Sequence, residues 1–228
     1  MRIRLLLSLA MIACVSLLNA QTNEPHHAKF EPEIRRFEAR DKTNPPPKDA
    51  VLLIGSSSIR FWTNAATQLS PHVIINRGFG GSHVSDSVVF ADRIALPYQP
   101  KVILVYAGDN DLAAGKTPAQ VVADFKAFVL KVQQQLPTAK IGFIAIKPSP
   151  SREKLLPRAR EANGLIQDYV KTDPRLSYID VFTPMLDASG RPREELFIKD
   201  RLHMNPKGYE VWTGVIKPAL DQLDVPSK

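Results

Sequence analysis

The chain has 228 residues, 44% hydrophobic and 23% charged, an ordinary globular balance that fits one well-buried domain and leaves little length for a second. Its formal charge is +7 with basic and acidic residues intermixed, which argues for a mildly basic surface suited to anionic surroundings and against nucleic-acid binding. The single cysteine, Cys14, excludes an internal disulfide framework.

From the N-terminus, residues 1–20 carry Arg2 and Arg4, an uncharged and mostly apolar run over 5–18, and the small Ala20 at a cleavage-like position. The run is short for a bilayer span, so it reads as an export signal and not as a spanning helix. A lipoprotein site at Cys14 is the lesser alternative, because the apolar run continues past it. Cleavage after Ala20 would leave a periplasmic or extracellular chain with no cysteine and a formal charge of +5, since Arg2 and Arg4 are that segment's only charges. Residues 21–48 read as a polar lead-in with a short helix over 31–42 and a stop at Pro45, Pro46 and Pro47. The main folded domain is expected over 49–224.

Five apolar, β-rich runs follow: VLLI (51–54), HVIIN (72–76), KVILVYA (101–107), KIGFIAI (140–146) and LSYIDV (176–181). Helical patterns lie between them. The clearest covers 118–136, with Val121, Val122, Phe125, Phe128, Val129, Val132 and Leu136 on one face. Thr117, Pro118 and Gln120 form its start signal and Pro137 its stop. Asn205 and Pro206 open a last helix carrying Tyr209, Trp212, Val215 and Ile216, which Pro218 should kink or shorten. Strands alternating with helices, without an internal repeat, predict a three-layer α/β/α sandwich around a flavodoxin-like five-stranded parallel sheet of order 2-1-3-4-5.

Such sheets hold their sites at the carboxyl ends of the strands. Ser56, Ser57 and Ser58 follow the first run, Gly80 and Gly81 the second, and Asn110, between Asp109 and Asp111, the third; Asp200 and His203 precede the last helix. Each has an ordinary alternative: serines cap helices, glycine pairs make turns, Asp-Asn-Asp is a solvated turn, and a lone histidine is structural or exposed. Together they supply a nucleophile, hydrogen-bond donors and an acid–base pair on one rim.

That set resembles the SGNH, or GDSL-type, hydrolase family over roughly residues 50–220. Gly55-Ser56-Ser57-Ser58 matches the first block, and Trp62 falls on a position often aromatic in relatives. The later blocks match Asn76-Arg77-Gly78-Phe79-Gly80-Gly81, Gly108-Asp109-Asn110-Asp111 and Asp200-Arg201-Leu202-His203. The resemblance implies Ser57 as nucleophile, with Ser58 as the lesser choice, His203 as acid–base and Asp200 as its partner. It also implies an oxyanion hole of the Ser57 and Gly81 amides and the Asn110 side chain, with no metal or cofactor. Ser56 stands where the family has aspartate and Asp109 where it has a second glycine, so altered loop hydrogen bonding is expected. The α/β-hydrolase elbow does not fit, since Ile59 replaces its second glycine.

The expectation is an exported serine esterase that cleaves short-chain esters, either O-acetyl groups on carbohydrate or small acyl esters. The C-terminal block is similar to that of platelet-activating-factor acetylhydrolases, and no long apolar insertion offers a lipid lid. A non-catalytic glycan- or phosphate-binding module on the same fold is the alternative, with the serine loop as a phosphate cradle. A metal-dependent transferase using Asp109 and Asp111 would need a nucleotide loop, and His83 occupies the place of its third glycine. His26 and His27 sit in the lead-in, His72 precedes a strand, and His83 is expected to be exposed or to line the pocket. Asn163 is expected to be structural, and Arg60 either to meet an anionic substrate or to face solvent from a helix.

Overall fold

The computed structural model describes residues 26–223; the export signal expected over 1–20 and the lipoprotein alternative at Cys14 lie outside them. Five strands, Val51–Gly55 (β1), Ile74–Gly78 (β2), Val102–Tyr106 (β3), Lys140–Ile144 (β4) and Leu176–Ile179 (β5), form one all-parallel sheet in the order β2-β1-β3-β4-β5. This is the expected order. Every residue of β1 and β3 is buried, as continuous apolar runs in the middle of a doubly covered sheet require. Full burial of a side chain such as Leu52, Leu53 or Ile54 contributes roughly 1.5–3 kcal/mol.

The α-helices among the described residues are Glu31–Thr43 (α1), Ser57–Arg60 (α2), Ala65–Gln68 (α3), Val84–Ile94 (α4), Asp109–Ala113 (α5), Pro118–Gln135 (α6), Leu156–Val170 (α7) and Pro206–Leu223 (α8). The register pairs Val105 with Phe143, so these two side chains share a face and Tyr106 points to the other. Phe143 meets Phe125 of α6 at 4.8 Å between ring centroids, while Tyr106 meets Trp212 of α8 at 4.9 Å. Helices α6 and α8 therefore cover opposite faces, and α6 packs against both α4 and α7. The capping box at Thr117 forms as expected, with Gln120 N donating to Thr117 Oγ1 and Thr117 N to Gln120 Oε1.

Three details differ from the sequence expectation. Strand β2 begins two residues later than 72 and runs through Arg77, whose polar side chain is buried against Asp41 (2.5 Å) and the Tyr98 hydroxyl (2.9 Å). Pro218 does not end α8, which continues to Leu223. The residue four positions earlier, whose carbonyl faces the proline ring, is Gly214. The lead-in packs closely on the rest of the fold: Phe30, Ile34 and Phe37 are buried, and Arg93 of α4 binds both Glu31 and Glu38 of α1.

Candidate active site

The serine turn is shaped by backbone crowding. Gly55 has φ +137°, and a Cβ there would lie 1.8 Å from the Tyr106 carbonyl oxygen, so only glycine fits between β1 and β3. Ser56 then takes the position before α2, its carbonyl accepting from the Ile59 and Arg60 amides. Ser57 is the first residue of α2, and no carbonyl within that helix can accept from its amide. Ser58 is the second residue of α2; it is buried, with its carbonyl accepting from Tyr209 of α8 at 3.0 Å.

The 200–203 loop brings the acid and the imidazole onto Ser57. His203 Nε2 lies 3.0 Å from Ser57 Oγ, and His203 Nδ1 lies 2.6 Å from Asp200 Oδ2. The other Asp200 oxygen accepts the Leu202 and His203 amides, both at 2.9 Å, so the carboxylate and its own loop hold each other in place. Partial burial pushes the Asp200 carboxyl up, but the hydrogen bonds from the His203 ring and the two amides outweigh it and bring it down to about 2. Phe61 stands edge-on to the His203 ring at 4.9 Å and is 46% exposed, flanking the imidazole at the mouth of the site.

The second and third blocks close around the serine from the other side. A Cβ on Gly80 would come within 3.8 Å of Ser57 Cβ. Gly81 has φ +81°, and among the described residues its amide donates to no acceptor. Asn110 donates one Nδ2 hydrogen to the Ser82 carbonyl at 3.2 Å, which leaves its second hydrogen free, and its Oδ1 accepts from Arg152 at 2.8 Å. Asp109 is buried and accepts from the Asn110 amide at 3.0 Å. Its other oxygen faces Lys147 at 3.3 Å and Arg152 at 3.0 Å. Burial pushes the Asp109 carboxyl up, but the two cations pull it down further, and the net shift is downward. Burial of Lys147 in turn lowers the ammonium despite Asp109.

Sequence reading gave no site role to Lys147, Arg152, Phe61 or Tyr209. The one available signal was Asp109 itself, since a buried carboxylate in place of glycine requires a counter-charge. His83 was expected at the surface or in the pocket, yet it is buried at the start of α4. It stacks on His26 at 3.8 Å, which the sequence placed in an unassigned lead-in. Burial, then the nearby His26 and Lys116, lower His83 to about 4. Asn163 is structural: its amide spans both backbone groups of Ile146. His26, His83 and Asp86 hold potential metal-ligating atoms within 4.8 Å of one another. The Asp86 carboxylate is already engaged there, accepting from the His83 amide at 2.7 Å and lying 3.0 Å from His26 Nδ1.

Residues 54–211 match the model of the GDSL-like lipase/acylhydrolase family. The chain is 26% identical over 184 residues to human platelet-activating factor acetylhydrolase IB subunit alpha1, covering 76% of this chain and 75% of that protein. A GDSL-like lipase from Bacteroides thetaiotaomicron superposes with a TM-score of 0.72 at 16% identity, over 83% of this chain and 97% of the other. A carbohydrate esterase family 3 protein from Talaromyces cellulolyticus superposes with a TM-score of 0.62 at 17% identity, over 77% and 97%. With a parallel sheet of this order and a family model that spans most of its length, the chain belongs to the GDSL-like lipase/acylhydrolase family.

Proposed function

We propose that this protein is an exported serine esterase that removes short acyl groups from carbohydrate or small-molecule esters through an acyl-enzyme on Ser57. The observation that carries the reading is the continuous contact from Ser57 Oγ to His203 Nε2 at 3.0 Å and from His203 Nδ1 to Asp200 at 2.6 Å. His203 takes the Ser57 proton as Oγ forms its bond to the ester carbonyl carbon. The tetrahedral oxyanion accepts from the Ser57 and Gly81 amides and from the free Asn110 Nδ2 hydrogen. Collapse breaks the bond to the alcohol, which leaves with the proton from His203 Nε2. Water then attacks the acyl-enzyme by the same path and releases the acid and Ser57. Asp200, ionised down to about pH 2, holds the imidazole with Nδ1 protonated and stabilises its charged form. No step draws on a metal or cofactor.

Short-chain nitrophenyl ester hydrolysis by the mature protein, beside Ser57→Ala and His203→Ala, tests this. Both variants should lose nearly all turnover. Unchanged activity in Ser57→Ala, or an inert parent on every acyl ester, would refute it in favour of a binding module. Export follows from the residue 1–20 signal, and an N-terminus beginning at Gln21 in secreted material is the expected result.

A further inference from the structure

A cleft of about 410 Å3 opens beside the nucleophile, lined by Lys29, Phe30, Glu33, Arg36, Arg60 and Gly80 among others. That volume falls within the roughly 300–1,000 Å3 of small-molecule sites. Gly80 joins the cleft to the site. A Cβ placed on it would meet Arg60 Nη1 at 3.2 Å and Ser57 Cβ at 3.8 Å, so the serine and the guanidinium flank the same glycine. Arg60 follows Ser57 by one turn of α2, and its side chain is 44% exposed.

The cleft carries excess positive charge. Arg36 holds Glu33 at 2.6 Å, while Arg60 reaches the same oxygen only at 3.8 Å, so one carboxylate serves two guanidiniums. Lys29 adds an ammonium whose contact, His26 Nε2 at 2.7 Å, brings no negative charge. Lys29, Glu33 and Arg36 lie before residue 54, outside the segment matched by the family model, so this wall belongs to the chain's own N-terminal segment.

We propose that the cleft is an alcohol-side subsite that selects esters whose alcohol portion carries a carboxylate or phosphate, with Arg60 as the recognising residue and Lys29 and Arg36 supporting it. The inference rests on the esterase reading above, in which the acyl group is short and a charge that reaches Arg60 therefore belongs to the alcohol. A guanidinium fork matches either anion in two-point geometry, and the anion would displace the weak Glu33 contact.

The test compares kcat/KM for 4-acetoxybenzoate with that for its neutral counterpart 4-acetoxybenzamide. The parent should favour the anion by at least about tenfold at low salt. Sodium chloride at about 0.5 M should shrink that ratio. The ratio should fall about tenfold in Arg60→Gln and by a smaller factor in Lys29→Gln and Arg36→Gln. The latter two positions are exposed and carry the test should Arg60→Gln not fold. An active parent with a ratio near one, or a ratio that none of the variants lowers, overturns the subsite alone. Hydrolysis of neither ester by a parent that cleaves nitrophenyl acetate also overturns the subsite alone, while a parent inert on every acyl ester overturns the esterase reading and the subsite with it.

Discussion

Replacing Asp109 with asparagine keeps the shape of the side chain and removes the charge on which two cations converge. Lys147 has 1% of its side chain exposed, and Asp109 lies 3.3 Å from its Nζ. Without that carboxylate the ammonium has two options. It can stay charged and unpaired, which costs about 3–5 kcal/mol for a broken buried pair. Or it can give up its proton, which at pH 7 costs about 4.6 kcal/mol against an ordinary lysine value of roughly 10.4. The second option caps the first, so Asp109→Asn should destabilise by about 3–4.6 kcal/mol at pH 7. At pH 9.5 the deprotonation cap falls to about 1.2 kcal/mol, and the penalty should shrink accordingly. Urea denaturation of parent and variant at both values measures this. Adding Lys147→Met should recover most of the loss, because an apolar side chain needs no partner there. A penalty below about 1 kcal/mol at pH 7, equal at both pH values, would refute the claim that Asp109 balances a buried ammonium.

Asn110→Ala should lower kcat by on the order of 10²–10³ with little change in KM, since its donor acts on charge present only in the transition state; an unchanged kcat would remove Asn110 from the mechanism. Asp200→Asn should cost on the order of 10³–10⁴ in kcat through loss of the imidazole's orientation. Because the Asp200 carboxyl sits at about 2, any loss of parent activity between pH 4 and 6 must come from another group, and profiles of kcat/KM against pH should show no inflection from Asp200 there. His83, held down to about 4, stays neutral in the folded chain while an unfolded chain protonates it near 6.5. Stability should therefore fall as pH drops from 6.5 to 4, by up to about 1.4 kcal/mol per pH unit from this group. His83→Asn, which keeps a capping side chain, should flatten that slope in denaturant titrations.

The sheet was legible in the sequence because local patterns encode it, and the candidate catalytic residues were legible through their resemblance to the blocks of the SGNH family. A run such as VLLI is buried on both faces wherever the chain places it, and Gly55 before Ser56 marks a turn that admits no side chain. Alternation of such runs with the capped helix at Thr117 is enough for a parallel three-layer fold, and parallel sheets carry their chemistry at one rim. Ser57, Asn110 and His203 could be placed on that rim before any contact was known.

What surrounds them depended on contacts across 38 to 151 residues. Arg152 reaches Asn110 over 42 positions and Tyr209 reaches Ser58 over 151. His26 stacks on His83 from a lead-in whose composition shows nothing of the kind. Burial is a property of the assembled layers, so the charges of Asp109 and Lys147, the neutrality of His83 and the cationic cleft at Arg60 were decided only there. The sequence alone determined which atoms could react. The tertiary structure decided their charge states and what stands beside them, because solvent exclusion and long-range neighbours set both.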